Sequence, residues 1–136
     1  MNAKRDIVGT ALLMAALCLP GHAHSGDLFL IGHSDVSLTP AEIKDVYLGD
    51  KQLAGSVKLT PVDNAAAQAQ FLEKAIKMDP GKYSSFWTKK TFRDGINPPA
   101  VKGSDAEVLS FVKATSGAVG YVASTPGAEV KTLGKF

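Results

Sequence analysis

The residues best placed to do chemistry lie in the run Thr60–Ile76, TPVDNAAAQAQFLEKAI. An apolar strand pattern ends there and a helical one begins. The first amides of a helix lack partners inside it, and the helix dipole favours negative charge, so such a junction can hold a small anion. The residues at this junction are Asp63, Asn64, Ala65, Ala66, Ala67 and Gln68. Three of them offer only methyl groups. Gln68 is the one nearby side chain that can donate. Asp63 has a plainer reading as a helix cap, because its carboxylate can accept from free first-turn amides.

Other chemistry finds less support. Nucleophilic catalysis needs a nucleophile, a base and an orienting group, and these do not assemble. Ser84 and Ser85 fall inside a helical pattern, with no Gly-x-Ser-x-Gly elbow. Asp45 and Asp50 are scattered and read as solvated. Lys89, Lys90 and Arg93 read as a solvated helix face rather than an anion clamp. A free amine at His24 together with His33 would supply nitrogen ligands suited to copper(II). A terminal histidine and a loop histidine, each without a metal, are the plainer reading. No enzyme activity and no cofactor are expected.

The N-terminus reads as an export signal. Lys4 and Arg5 precede the apolar run Ile7–Leu19, Pro20-Gly21 breaks it, and Gly21-His22-Ala23 supplies small residues for cleavage after Ala23. Residues 1–23 are therefore expected to be removed, leaving a domain over 24–136 in the periplasm. Thirteen basic and twelve acidic side chains remain, a formal charge of +1. That balance argues against nucleic acid as a partner, and the mature chain has no membrane-surface helix pattern. The single cysteine, Cys18, lies inside the apolar run, so the mature chain has no disulfide and depends on its core.

The elements that must position the junction can be read in order. Asp27–Gly32 is a short buried strand. Thr39-Pro40-Ala41-Glu42 carries the cap, first-turn proline and returning glutamate of a helix start, and Gly49 ends that helix. Val57–Val62 is a second strand, and a helix is expected over about Ala65–Met78. Asp79-Pro80 opens a third helix with a Tyr83, Phe86, Trp87 stripe that reads as core. Arg93–Gly103 is a loop. Ser104–Glu107 is a second capping box and opens a fourth helix, ended by Gly117. Ala118–Ala123 is a third strand, with Gly120 where a neighbour approaches closely, and Val130–Leu133 forms a last edge. Strands separated by helices predict an α/β domain with a mixed, mostly parallel sheet flanked by helices.

Three blocks carry a resemblance. LTPAEIKDVYLGD, with Tyr47-Leu48-Gly49, FWTKKTF, and above all GAVGYV at Gly117–Val122 resemble the periplasmic phosphate-binding proteins, the receptors of ABC phosphate importers. The resemblance spans about residues 27–124 and implies a single lobe of a type II periplasmic-binding-protein-like fold. In that family an Asp-Gly-Ser-Gly-Thr motif of the second lobe grips phosphate through hydroxyls and helix amides. In the corresponding stretch Asp63 keeps the Asp, Asn64 stands for the first Gly, Ala65 for the Ser and Ala67 for the Thr. Two lost hydrogen bonds to a charged ligand would cost roughly 3–6 kcal/mol, about a hundred- to ten-thousand-fold in affinity. The resemblance thus implies a solute-binding module for a small anion such as phosphate, associated with ABC transport, with an eroded site. The alternative is an interaction or structural module that keeps the lobe without a ligand. For phosphate capture, a homodimer or a partner protein would have to stand where the missing lobe would sit.

Overall fold

A computed structural model describes residues 26–136. The expected cleavage site, Cys18 and His24 lie outside the described residues. Five strands form the main sheet: β1 (Phe29–Gly32), β4 (Thr60–Asn64), β5 (Ala100–Lys102), β6 (Ala118–Val122) and β7 (Lys131–Lys135). Their order across it is β5-β4-β6-β1-β7. β4 runs parallel to β5 and β6, and β1 runs antiparallel to both β6 and β7. Four strands therefore point one way and β1 alone opposes them, which is the mixed, mostly parallel α/β sheet expected from the order of elements. A two-stranded hairpin, β2 (Leu53–Ala54) with β3 (Val57–Lys58), stands apart.

Helices cover both faces. A 3-10 turn at Pro40–Glu42 leads into α1 (Ile43–Tyr47). α2 (Gln68–Phe71) passes into a π-helical turn at Leu72–Ile76. α3 spans Pro80–Asp94 and α4 spans Asp105–Ala114. The starts follow the capping chemistry. Glu42 Oε1 accepts from the Thr39 amide at 3.2 Å and its hydroxyl at 2.9 Å. Asp79 Oδ1 accepts from the Lys82 amide at 2.9 Å, with Pro80 at the first helical position. Ser104 Oγ accepts from the Glu107 amide at 3.3 Å, while the Glu107 carboxylate turns back to the Gly103 amide at 2.6 Å.

The alternation of side chains across the strands splits the core in two. Leu30, Val119 and Tyr121 face α1, α2 and α3, in a cluster with Tyr47, Phe71, Leu72, Tyr83 and Trp87. Ile31, Ala118 and Val122 face α4, with Val62, Val108 and Val112. Phe71 stacks on Tyr121 with centroids 3.8 Å apart, and Tyr47 meets Phe71 edge-on at 4.7 Å. Gly120 is where α4 presses against β6: a Cβ there would lie 2.6 Å from Val108 Cγ1.

Three expectations are corrected. The strand expected over Val57–Val62 is broken at Leu59, and its second part, β4, runs on to Asn64. The loop expected over Arg93–Gly103 contains β5, because the extended Pro98-Pro99 pair delivers Ala100–Lys102 alongside β4. Lys90 is not solvated. It is 6% exposed and donates to the Leu48 carbonyl and to Asp50 Oδ1, both at 2.7 Å, so it closes the end of α1.

Candidate functional site

β4 carries Asp63 and Asn64 to the C-terminal end of the sheet, and both side chains are buried. Asp63 Oδ2 accepts from the Tyr83 hydroxyl at 2.8 Å, and Oδ1 accepts from the Tyr121 hydroxyl at 2.7 Å. Burial pushes the Asp63 carboxyl above its ordinary value, although the two tyrosine bonds and the Gln68 side chain pull the other way. Burial, reinforced by the Asp63 charge, drives both phenols well above the ordinary tyrosine range, so they stay protonated and keep donating. Asp63 is therefore a strand residue gripped by two tyrosines. The expected helix cap is not formed.

Asn64 organises the turn that follows. Its Nδ2 donates to Asp105 Oδ1 at 2.7 Å and to the Tyr121 carbonyl at 3.0 Å. Its Oδ1 accepts from the Ala66 amide at 3.0 Å. The Ala65 amide donates to the Lys102 carbonyl at 2.8 Å, and the Ala67 amide donates to the Asn64 carbonyl at 3.0 Å. All three alanine amides are thus used within the chain. The helix expected from Ala65 begins instead at Gln68, since β4 keeps pairing with β5 through Asn64 and the asparagine side chain then folds the turn. Four residues of α-helix then pass directly into the π turn.

The six junction residues consequently divide. Asn64 lies in a buried network, Ala67 packs into the core, and Ala65 and Ala66 face solvent. Asp63 and Gln68 come together on the wall of an open cavity of about 730 Å³. α3 supplies one side with Tyr83, Ser84, Trp87, Thr88, Thr91 and Phe92, the π turn adds Leu72, and Pro98, Pro99 and Val101 form the rim towards β5. Among the described residues, the lining contains no lysine, arginine or histidine. Tyr83 and Tyr121 are neighbours of Asp63 that the sequence reading placed only in a core stripe and in a strand. The signal was their hydroxyls, since a buried tyrosine needs an acceptor that a phenylalanine would not.

A second polar cluster joins the end of β1 to the turn before β6. The carboxylate of Asp35 lies 2.7 Å from His33 Nδ1, accepts from the Gly117 amide at 3.0 Å, and accepts from the Ser116 hydroxyl. The Ser116 and Gly117 bonds, followed by that to His33, lower Asp35 to about 2. The carboxylate sits between serine and imidazole, so the imidazole is not placed to take the serine proton. This cluster pins two segments and does not make a nucleophile–base pair. Among the described residues, no three His, Cys, Asp or Glu side chains gather as a metal site, and no helix is long and apolar enough to cross a membrane.

Two solved structures share the fold. One is an ABC-type phosphate transport receptor from Vibrio cholerae, 16% identical, with a TM-score of 0.50. The other is a phosphate ABC transporter substrate-binding protein with bound phosphate from Clostridium perfringens, 18% identical, with a TM-score of 0.51. Each alignment covers 79% of this chain. The chain spans only 46% and 45% of their respective lengths. No family model matches the sequence, and no curated protein matches it.

Proposed function

We propose that the protein is an exported, non-catalytic binding module built as a single receptor-type lobe, and that it recognises its ligand in the cavity before Asp63 and Gln68. The oxyanion grip is given up. One observation carries this reading: the amides of Ala65, Ala66 and Ala67 all donate within the chain, and the nearest charged group is a carboxylate. An anion held at this turn would have to displace three internal hydrogen bonds and sit against like charge, each bond being worth about 1 kcal/mol net.

Isothermal titration with phosphate and sulfate tests it. The expected result is no heat below millimolar anion. Because the three alanine amides are already used within the chain, hydroxyls restored by Ala65→Ser and Ala67→Thr should leave phosphate affinity unchanged. Micromolar phosphate binding by either protein overturns the reading. A second reading, retained phosphate binding, is favoured by the fold shared with the phosphate-bound substrate-binding protein from Clostridium perfringens, and the same titration decides between them. For export, intact-mass measurement of the secreted product should find a chain beginning at His24.

A further inference from the structure

The cavity carries a charge that the fold leaves unanswered. Among the described residues Asp63 forms no ion pair, and its two close partners are neutral hydroxyl donors. No basic side chain among the described residues lines the cavity to offset it. Asp63 itself is 1% exposed, so its field reaches the cavity through protein rather than through water. Fields of this kind are screened far less than those of surface charges. The rest of the wall is uncharged: Tyr83, Trp87, Phe92, Leu72 and Val101 supply aromatic and apolar groups, and Ser84, Thr88 and Thr91 supply hydroxyls. An anion there would meet repulsion with no free alanine amide to offset it. A cation would meet an attractive field, beside aromatic rings that can add to it.

We infer that this cavity binds a monovalent organic cation, a protonated amine or quaternary ammonium carried on an apolar body, with its charged end towards Asp63 and Gln68. This names the ligand class of the recognition cavity proposed above and rests on that reading. The apolar body lies against Val101, which is 59% exposed, and Phe92, which is 93% exposed, closes over it. The ammonium gains from a carboxylate it need not touch. At the effective dielectric of a partly buried site, such an attraction favours a cation over its neutral isostere by about tenfold.

Trp87 is the only tryptophan and lines the cavity, so its fluorescence reports occupancy directly. The secreted protein is titrated with three probes that share a phenyl body: 2-phenylethylamine, 2-phenylethanol and 3-phenylpropionate. The amine should bind about tenfold tighter than the alcohol, with the carboxylate weakest. Asp63→Asn should bring the amine down to the alcohol and leave the alcohol unchanged. Gln68→Lys is a second variant, at a half-buried position that does not hold the core together. It should cost the amine its advantage and improve the carboxylate. An amine that binds no better than the alcohol, or a carboxylate that binds best, overturns the charge assignment and leaves the cavity as a recognition site. No response to any probe up to about 10 mM overturns both.

Discussion

At the scale of single residues, Asp63 shows how a side chain's role depends on what packs over it. In the sequence it stands at the end of a strand and before a helix, where a cap is the ordinary expectation. Nothing local announces that Tyr83 and Tyr121, 20 and 58 residues away, will take both its oxygens. The consequence can be measured. The folded protein holds the Asp63 proton more tightly than the unfolded chain, whose ordinary value is 3.8. The stability from this group is therefore complete below about pH 3.8 and is lost as the pH rises through the higher folded value. Asp63→Asn removes that dependence, so the melting temperature of the variant relative to the parent should climb between pH 4 and pH 7. A flat difference across that range would mean that the carboxyl is not raised. Tyr83→Phe takes a donor from a buried carboxylate and should cost about 1.5–3 kcal/mol in urea unfolding at pH 7.

At the scale of elements, the residues that act on their near neighbours were legible and those that act across the sheet were not. Thr39, Asp79 and Ser104 mark helix starts because a cap is a contact within four residues. The close approach at Gly120 was also legible, since a glycine inside an apolar strand has few other uses. Gly120→Ala would set a Cβ 2.6 Å from Val108 Cγ1 and 3.3 Å from Val112 Cγ2. Overpacking of this kind should cost about 1–3 kcal/mol, read from the urea midpoint, and Val108→Ala in the same chain should recover part of it. β5 was hidden because three residues after two prolines carry no periodicity of their own. It exists only because β4 offers it an edge. The late start of α2 has the same origin: the pairing of β4 with β5 outlasts the apolar run, and Asn64 finishes the turn with partners at Asp105 and Tyr121.

At the scale of the whole molecule, the blocks that carry the resemblance turn out to hold the two sides of the sheet together. Tyr47 of the first block donates to the Val62 carbonyl at 2.7 Å and to the Val119 carbonyl at 3.3 Å, which ties α1 across β4 and β6. Gly117, at φ +76, bonds both to Asp35 and to the Thr60 amide where β4 begins. Tyr121 stacks on Phe71 and grips Asp63. These residues specify a lobe, and for that reason the fold was readable from them while the ligand was not. Stability and recognition should consequently separate under mutation. Tyr47→Phe leaves two buried carbonyls short of a donor and should cost about 1–3 kcal/mol of unfolding free energy, with Trp87-reported probe binding unchanged in the folded fraction. Phe92→Ala removes an exposed ring, so it should leave stability within about 0.5 kcal/mol of the parent and weaken binding of every phenyl probe alike. If Phe92→Ala destabilised the fold, or if Tyr47→Phe changed the order of the probes, the cavity and the frame would be one unit and the ligand could not have changed while the lobe stayed the same.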